Sequence, residues 1–152
     1  MSRGAKYLPL GLAAAFLLLL GTAPAQAQIE IACICQIGCN FVTGTAGNDI
    51  LNGSSGCDCI RGQAGADTLN GFESDDRLCG GSEDDILNGG SEDDVLRGNS
   101  EDDDLFGNSG DDNLDGDSGD DDLDGGSGTD VLNGDIGTDT CINGETVTNC
   151  EL

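Results

Sequence analysis

The sequence predicts an all-β solenoid, and a single repeating pattern supports this prediction. From Gly44 to Ile142 the chain divides into eleven nine-residue units without an insertion. Position 1 of every unit is glycine and position 6 is aspartate, while position 8 is aliphatic in every unit but the last, which has Cys141. Because a short repeat at a fixed period indicates stacked structural units, the pattern favours a solenoid over a layered globular domain.

The residue types of one unit indicate a turn followed by a short strand. Glycine allows positive φ and close backbone approach, so positions 1–6 are predicted to form a turn. Positions 7–9 are predicted to form a strand in which position 8 faces one way and its neighbours face the other. A glycine at every ninth residue excludes helix. A single inward aliphatic side chain cannot bury itself, so the units must stack to build a narrow core.

The composition narrows the classes of protein that the chain can represent. It has 152 residues, of which 30 are acidic and 5 basic, and it contains no histidine. This composition alone would indicate disorder, but the acids recur at fixed intervals, and divalent cations can neutralise them and drive folding. Nucleic acid is not an expected partner, because a polyanion repels it.

We predict that the chain is not an enzyme. Without histidine it cannot form a Ser-His-Asp triad, a Cys-His dyad or an HExxH zinc helix. Paired carboxylates of the glycosidase kind need a cleft, and a chain spent mostly on thin repeats has little left to build its walls.

The N-terminus has the features of a secretory signal peptide. Arg3 and Lys6 precede a mostly apolar stretch from Leu8 to Leu20, and a small-x-small sequence ends at Ala27. The apolar stretch is shorter than the roughly 20 residues that a membrane span needs, so we expect cleavage after Ala27 and no remaining span. The expected location is secreted or extracellular, with periplasmic transit or the cell surface as alternatives. The predicted parts of the chain are a signal peptide (1–27), an N-terminal Cys-rich cap (28–43), the repeats (44–142) and a C-terminal cap (143–152).

The repeat resembles the RTX calcium-binding repeats, whose nonapeptide is G-G-x-G-x-D-x-U-x. The resemblance covers residues 44–142. It implies a parallel β-roll in which two nine-residue half-coils make one full coil. It also implies that Ca²⁺ binds between turns that are stacked one coil apart, with carboxylates and turn carbonyls supplying the oxygen shell.

The resemblance assigns the metal-ligand role to the aspartates at position 6. They are Asp49, Asp58, Asp67, Asp76, Asp85, Asp94, Asp103, Asp112, Asp121, Asp130 and Asp139. Each would pair with the aspartate one coil later, from Asp49 with Asp67 to Asp121 with Asp139, which allows at most nine sites. Calcium ions are therefore the expected cofactor and partner.

The middle units depart from the pattern of the family at position 4. The glycine of that position is replaced there by Ser74, Glu83, Glu92 and Glu101. If position 4 requires positive φ, a side chain costs about 1–2 kcal/mol, and these units would bind calcium weakly. Alternatively, the added carboxylates take part in ligation, and the sequence does not decide between the two.

The cysteines predict disulfides at the ends of the solenoid. All eight follow the expected cleavage site, and an even number in an exported chain indicates disulfide pairing. The pairs that we expect are Cys39–Cys57, Cys141–Cys150, Cys59–Cys79 and Cys33–Cys35. A zinc site in the first five cysteines is the rival interpretation, but its spacing departs from the usual C-x₂₋₄-C pairs.

Residues 111–122 also match an EF-hand loop loosely. An EF-hand needs a helix on each side, and both flanks here belong to the same Gly/Asp units. We therefore regard this match as a coincidence.

Three functions are compatible with these observations. The leading one is a secreted module that folds on binding Ca²⁺ outside the cell. The second is a calcium-dependent adhesin or a surface-layer structural protein. The third is an ice-binding solenoid, which would need a regular face of Thr or Asn. Position 9 supplies Asn52, Asn70, Asn88 and Asn133, but other units have arginine, phenylalanine or aspartate there, so no regular face is expected.

Overall fold

The computed structural model describes residues 35–151 and shows a parallel β-solenoid of about 6 coils. The predicted signal peptide and Cys33 lie outside the described residues. None of the described residues belongs to a helix that is long and apolar enough to cross a membrane. The strands are β1 (Asn40–Thr43), β2 (Ile50–Asn52), β3 (Asp58–Ala64), β4 (Thr68–Glu73), β5 (Arg77–Ser82), β6 (Ile86–Ser91), β7 (Val95–Ser100), β8 (Asp104–Ser109), β9 (Asn113–Ser118), β10 (Asp122–Ser127), β11 (Val131–Asn133), β12 (Thr140–Ile142) and β13 (Thr146–Thr148).

Successive strands alternate between two parallel sheets. The odd-numbered strands form a seven-stranded sheet, here called sheet A, and the even-numbered strands form a six-stranded sheet, here called sheet B. Equivalent positions stack within each sheet, so that Leu78 lies beside Ile60 on one side and Leu96 on the other. Two nine-residue units thus make one coil, which confirms the predicted β-roll.

The strands are longer than the sequence predicts. Thr68–Glu73 covers positions 7–9 of one unit and positions 1–3 of the next, and most interior strands have the same extent. The prediction of a turn over positions 1–6 is therefore wrong for its first half. The backbone groups of positions 1–3 pair with the neighbouring coil, as Phe72 does with Gly90, and a single unit cannot reveal this pairing.

One file of aliphatic side chains forms the core. The residues at position 8 are almost completely buried: Ile60, Leu69, Leu78, Leu87, Leu96, Leu105, Leu114, Leu123 and Leu132. Val42, Leu51 and Cys141 pack against the two ends of this file. Successive side chains on a strand point to opposite faces, so Leu87 is 0% exposed while the adjacent Ile86 is 41% exposed.

Three of the position 9 asparagines form a column on the outer face of sheet B. The side-chain amide of Asn70 donates to Asn52 at 3.0 Å, and that of Asn88 donates to Asn70 at 3.2 Å. Phe106 ends the column in the next coil. Asp124 and Ile142 follow Phe106 at the same position of sheet B, so the asparagine column is limited to three coils and does not form a regular face along the roll. Residues nine apart alternate between the sheets, and only residues eighteen apart share a face.

Disulfides lie near both ends of the roll. Cys39 bonds to Cys57 across one coil, with their Cα atoms 4.8 Å apart, and Cys141 bonds to Cys150, with theirs 5.9 Å apart. Both predicted pairs are confirmed. Cys59 bonds to Cys35 instead of Cys79, so the predicted Cys59–Cys79 and Cys33–Cys35 pairs are wrong.

The strand register explains the incorrect pairing. Cys59 lies opposite Arg77, and Cys79 lies opposite Arg61, which offsets the two cysteines by two residues along neighbouring strands. Cys79 is also disulfide-bonded. The four cysteines at 35, 39, 57 and 59 are all used in disulfides, which leaves them without the thiolates that the alternative zinc site requires.

The buried file predicts that substitutions of two adjacent residues of β6 lower the stability of the protein by very different amounts. Leu87→Ala should lower the free energy of unfolding by about 2–5 kcal/mol, because it opens a cavity in a core one side chain wide. Ile86→Ala, on the outer face, should cost less than about 1 kcal/mol. Chemical unfolding of both variants in saturating calcium measures the difference, and equal losses would contradict the assignment of the core.

Candidate metal centre

The position 6 aspartates form two buried columns, one under each row of turns. Each aspartate follows a turn, at the first residue of a strand or immediately before it, and the alternation of side chains directs it inward, as it does the position 8 side chain two residues later. All of them from Asp58 to Asp139 are at most 2% exposed, while Asp49, in the first described turn, is only half-buried. We call these columns the aspartate ladders. One contains Asp49, Asp67, Asp85, Asp103, Asp121 and Asp139, and the other contains Asp58, Asp76, Asp94, Asp112 and Asp130.

Hydrogen bonds connect successive members of each ladder. The backbone N–H of Asp49 donates to Oδ1 of Asp67 at 2.7 Å, and the same bond continues through the roll at 2.7–2.9 Å. These bonds join all nine pairs that are one coil apart. The structure therefore brings the predicted residues together in the predicted register, with one carboxylate oxygen of each occupied by a backbone donor.

The other carboxylate oxygen has no hydrogen-bond partner in the described part of the chain. It is a buried, unsatisfied Oδ2 in nine aspartates: Asp67, Asp76, Asp85, Asp94, Asp103, Asp112, Asp121, Asp130 and Asp139. An unsatisfied buried polar group costs about 1–3 kcal/mol, and a charged group costs more. The same atom is orphaned in nine aspartates, and this is an arrangement that bound cations would satisfy.

The ladders are also electrostatically unfavourable without such a partner. Burial raises the pKa of Asp94 and of Asp103 to about 8, and that of Asp85 to about 7. The backbone N–H bond in each case lowers the pKa, and the neighbouring carboxylates of the ladder raise it further. The centre of the roll thus needs protons or cations to neutralise these groups at neutral pH.

Position 1 brings a second kind of oxygen next to the orphaned one. A Cβ added to Gly71 would overlap Oδ2 of Asp76 and would lie 2.6 Å from the carbonyl oxygen of Gly89, in the next coil. Glycine is therefore required at position 1 for reasons of space. Without a side chain there, a carboxylate oxygen of one coil and a carbonyl oxygen of the next coil border the same small volume.

This donor set fits a hard divalent cation. Carboxylate and backbone carbonyl oxygens are the ligands that calcium prefers, and they border the same volumes along both rows of turns. Soft transition metals favour imidazole or thiolate. The chain has no histidine, and its described cysteines are disulfide-bonded. The residues present thus fit calcium.

The first two turns of the described roll differ from the others. Oδ2 of Asp49 accepts hydrogen bonds from the backbone N–H and the hydroxyl of Thr45, at 2.7 and 2.9 Å. Oδ2 of Asp58 accepts the same pair from Ser54, at 2.7 and 3.0 Å. A position 2 hydroxyl thus satisfies these two carboxylates locally, and neither belongs to the orphaned set.

The middle units hold their position 4 side chains in the left-handed region. The φ angle is 75° at Ser74, 74° at Glu83, 75° at Glu92 and 73° at Glu101. The expected requirement for positive φ is therefore present, together with its cost for a residue that has a Cβ. The charge of Glu83 adds to the raised pKa of both Asp67 and Asp85, which places this carboxylate in the electrostatic surroundings of the ladder.

Residues at position 5 form a second set of hydrogen bonds between coils, which is exposed and has the opposite order of donor and acceptor along the chain. Oδ1 of Asp93 accepts from the backbone N–H of Asp111, and Oδ1 of Asp102 accepts from that of Asp120, both at 2.8 Å. In the aspartate ladders the donor precedes the acceptor in the chain, whereas here it follows. The repeated Asp-Asp dipeptides of the middle units are the sequence signal of this set, which the position 6 pattern alone does not predict.

Another acidic group lies on the outer face of sheet A. Carboxylate oxygens of Asp115, Asp117 and Asp135 lie within 4.8 Å of one another. Arg97 forms ion pairs with Asp115 and, at 3.3 Å, with Asp117, so an arginine already supplies the counter-charge on this face.

Comparison with known proteins agrees with the geometry. A family model for the RTX calcium-binding nonapeptide repeat matches the chain in four copies, at residues 38–69, 58–87, 80–114 and 106–141. No curated protein and no solved structure matches the chain. RTX nonapeptide repeats bind calcium, and the matched residues include all members of both aspartate ladders. The chain belongs to the family of RTX calcium-binding nonapeptide-repeat proteins.

Proposed function

We propose that this protein is an exported calcium-binding module that folds when it binds Ca²⁺ outside the cell. The observation that carries the proposal is the set of nine buried, orphaned carboxylate oxygens, in a chain whose family binds calcium. In this proposal, the eleven position 6 aspartates supply the ladders, and those with an orphaned Oδ2 act as direct ligands together with the carbonyl oxygens of the next coil.

The same carboxylates make folding conditional on the ion. When metal is absent at neutral pH, the ladders place like charges in neighbouring coils and hold them away from water, which favours the unfolded chain. Extracellular calcium modules bind at roughly 10⁻⁴–10⁻³ M, well above cytosolic levels. Each site stabilises the roll by RT ln(1 + [L]/Kd), and a stack of coupled sites gives a steep response.

The remaining parts of the chain fit an exported protein. We assign residues 1–27 to a signal peptide, 28–43 and 143–152 to caps, and 44–142 to the roll. Disulfides near both ends are consistent with an oxidising compartment outside the cytoplasm. We assign the protein no catalytic role, since the buried carboxylates among residues 35–151 all belong to the ladders and the chain has no histidine.

Calcium titration of the purified, disulfide-intact protein tests the proposal. Far-UV circular dichroism should change from a largely disordered spectrum in chelator to a β-rich spectrum as Ca²⁺ rises through the range of about 0.1–1 mM. Mg²⁺ at the same concentration should be much less effective, because it demands small octahedral sites. The absence of a gain in β signal by about 10 mM calcium would contradict the proposal.

A matched pair of variants tests whether calcium binding depends on the ladder aspartate of a turn or on any aspartate of that turn. Asp94→Asn removes a buried ladder charge, while Asp93→Asn makes the same change at an exposed position one residue earlier. Asp94→Asn should raise the calcium midpoint and reduce the number of bound ions. Asp93→Asn should leave that number unchanged. An equal effect of the two substitutions would mean that overall charge, rather than the ladder, controls binding.

The raised pKa values predict how the calcium-free protein responds to pH. Asp94 and Asp103 have a pKa of about 8 in the roll, against an ordinary value of 3.8. Between these values the folded state binds more protons than the unfolded state, so the stability of the metal-free roll falls as pH rises from about 4 to 8. Metal-depleted protein should therefore show more β signal at pH 4.5 than at pH 8.

The calcium-loaded protein provides the control. Because protons and calcium compete for the same oxygens, acidification over this range should weaken calcium binding while it strengthens the metal-free roll. A metal-free protein that loses β structure on acidification would show that the buried aspartates are not the groups that oppose folding.

A further inference from the structure

The segment after the last repeat places two glutamates at the ends of the aspartate ladders. We infer that Glu145 and Glu151 close two calcium sites with the last two repeat turns, and that the first two pairs of the ladders, Asp49–Asp67 and Asp58–Asp76, hold no ion. This inference rests on the proposed function and assigns sites to residues that follow the last family match, which ends at residue 141.

The hydrogen bonds of the two glutamates continue the ladders. The backbone N–H of Asp130 donates to Oε2 of Glu145 at 2.6 Å, and that of Asp139 donates to Oε2 of Glu151 at 2.6 Å. Elsewhere in the roll the equivalent N–H donates to the carboxylate of the aspartate one coil later. Each glutamate thus takes the place of a ladder aspartate that the chain no longer supplies.

Backbone carbonyls of the same segment reproduce the second donor. A Cβ added to Gly125 would lie 2.7 Å from Oδ2 of Asp130 and would overlap the carbonyl oxygen of Asn143. A Cβ added to Gly134 would overlap Oδ2 of Asp139 and the carbonyl oxygen of Asn149. In the interior of the roll a position 1 carbonyl, such as that of Gly89 beside Gly71, has this place.

The orphaned oxygens supply the independent reason to expect a ligand. Oδ2 of Asp130 and Oδ2 of Asp139 are buried without a hydrogen-bond partner, and both residues are 1% exposed. Asp130 and Asp139 belong to the last two repeat turns, so no further repeat turn follows on their C-terminal side. If calcium sites formed only between repeat turns, these two oxygens would have no site. The cap glutamates and asparagine carbonyls complete that second side.

A shorter turn explains the change from aspartate to glutamate. In the first cap turn one residue separates Asn143 from Glu145, whereas an interior turn such as Gly80 to Asp85 has four residues in between. Thr146, the residue after Glu145, pairs with Val131 at the start of β11, just as the residue after a ladder aspartate does. The longer glutamate side chain suits a turn that has lost three residues. The second cap segment repeats this spacing, with one residue between Asn149 and Glu151, although here Glu151 itself forms the bridge to Thr140.

The N-terminal end shows the opposite situation. A site between Asp49 and Asp67 would use Oδ2 of Asp49 with the carbonyl oxygen of Gly62, but that Oδ2 already accepts two hydrogen bonds from Thr45. Ser54 does the same for Asp58. The nine orphaned oxygens therefore define seven sites between repeat turns and two cap sites. Compared with the nine ladder pairs, the set of nine proposed sites lacks the first two pairs and gains two cap sites, so it is displaced by one coil toward the C-terminus.

Counting bound ions by native mass spectrometry of the disulfide-intact protein in calcium tests this assignment. The wild-type protein should carry nine Ca²⁺. The double variant Glu145→Gln and Glu151→Gln should carry seven, because each amide retains an acceptor oxygen for the ladder N–H but loses the ligand charge. The matched double variant Asp49→Asn and Asp58→Asn should still carry nine. Circular dichroism in saturating calcium shows that each variant has folded.

The possible results separate this inference from the proposed function. If the glutamine variant keeps nine ions, the cap sites do not exist. If the asparagine variant loses two ions, the first pairs of the ladders do bind calcium and the displacement is wrong. A wild-type protein that binds no calcium would instead contradict the proposed function itself.

Discussion

Repulsion between stacked, buried carboxylates is the constraint on which the rest of this structure depends. Two unit charges one strand spacing apart, about 4.8 Å, repel by about 3.5 kcal/mol at an effective dielectric constant of about 20. Burial of one leucine side chain contributes only about 1.5–3 kcal/mol, and each nine-residue unit from the second to the tenth has one ladder aspartate and one buried leucine or isoleucine. The hydrophobic file therefore offsets little of the repulsion within fully ionised ladders, which is why we propose that the roll needs a cation to neutralise them.

Several features of the chain suit the proposed binding of an ion between turns. Glycine at position 1 leaves room for a carboxylate and a carbonyl oxygen to face the same volume, as Gly71 does for Asp76. The ladder N–H bonds fix one oxygen of each carboxylate and so orient the other. The ends of the roll need different solutions, because a terminal turn has only one neighbour. Thr45 and Ser54 satisfy the first carboxylates by hydrogen bonds, and disulfides tie the chain near both ends.

The nine-residue period predicts the leucine file. The eighteen-residue coil that the RTX resemblance implies makes residues eighteen apart neighbours, and it thereby predicts the ladder pairs and the Cys39–Cys57 disulfide. Features that depend on contacts between coils could not be predicted from the sequence. The strands extend over position 3 only because a neighbouring coil pairs with them, and Cys59 bonds to Cys35 because of a two-residue offset in register. Glu145 and Glu151 lie outside the period, and only their hydrogen bonds relate them to the ladders.

Small-angle X-ray scattering of the disulfide-intact protein at pH 7.5, with and without calcium, tests the central claim most directly. The radius of gyration reports compactness without assuming which residues bind the ion. We predict a compact particle in calcium and, in chelator, an expanded chain whose radius of gyration approaches that of an unfolded polypeptide, about 36 Å for residues 28–152. An equally compact particle in chelator, with no metal retained, would show that the roll tolerates its buried carboxylates without a cation.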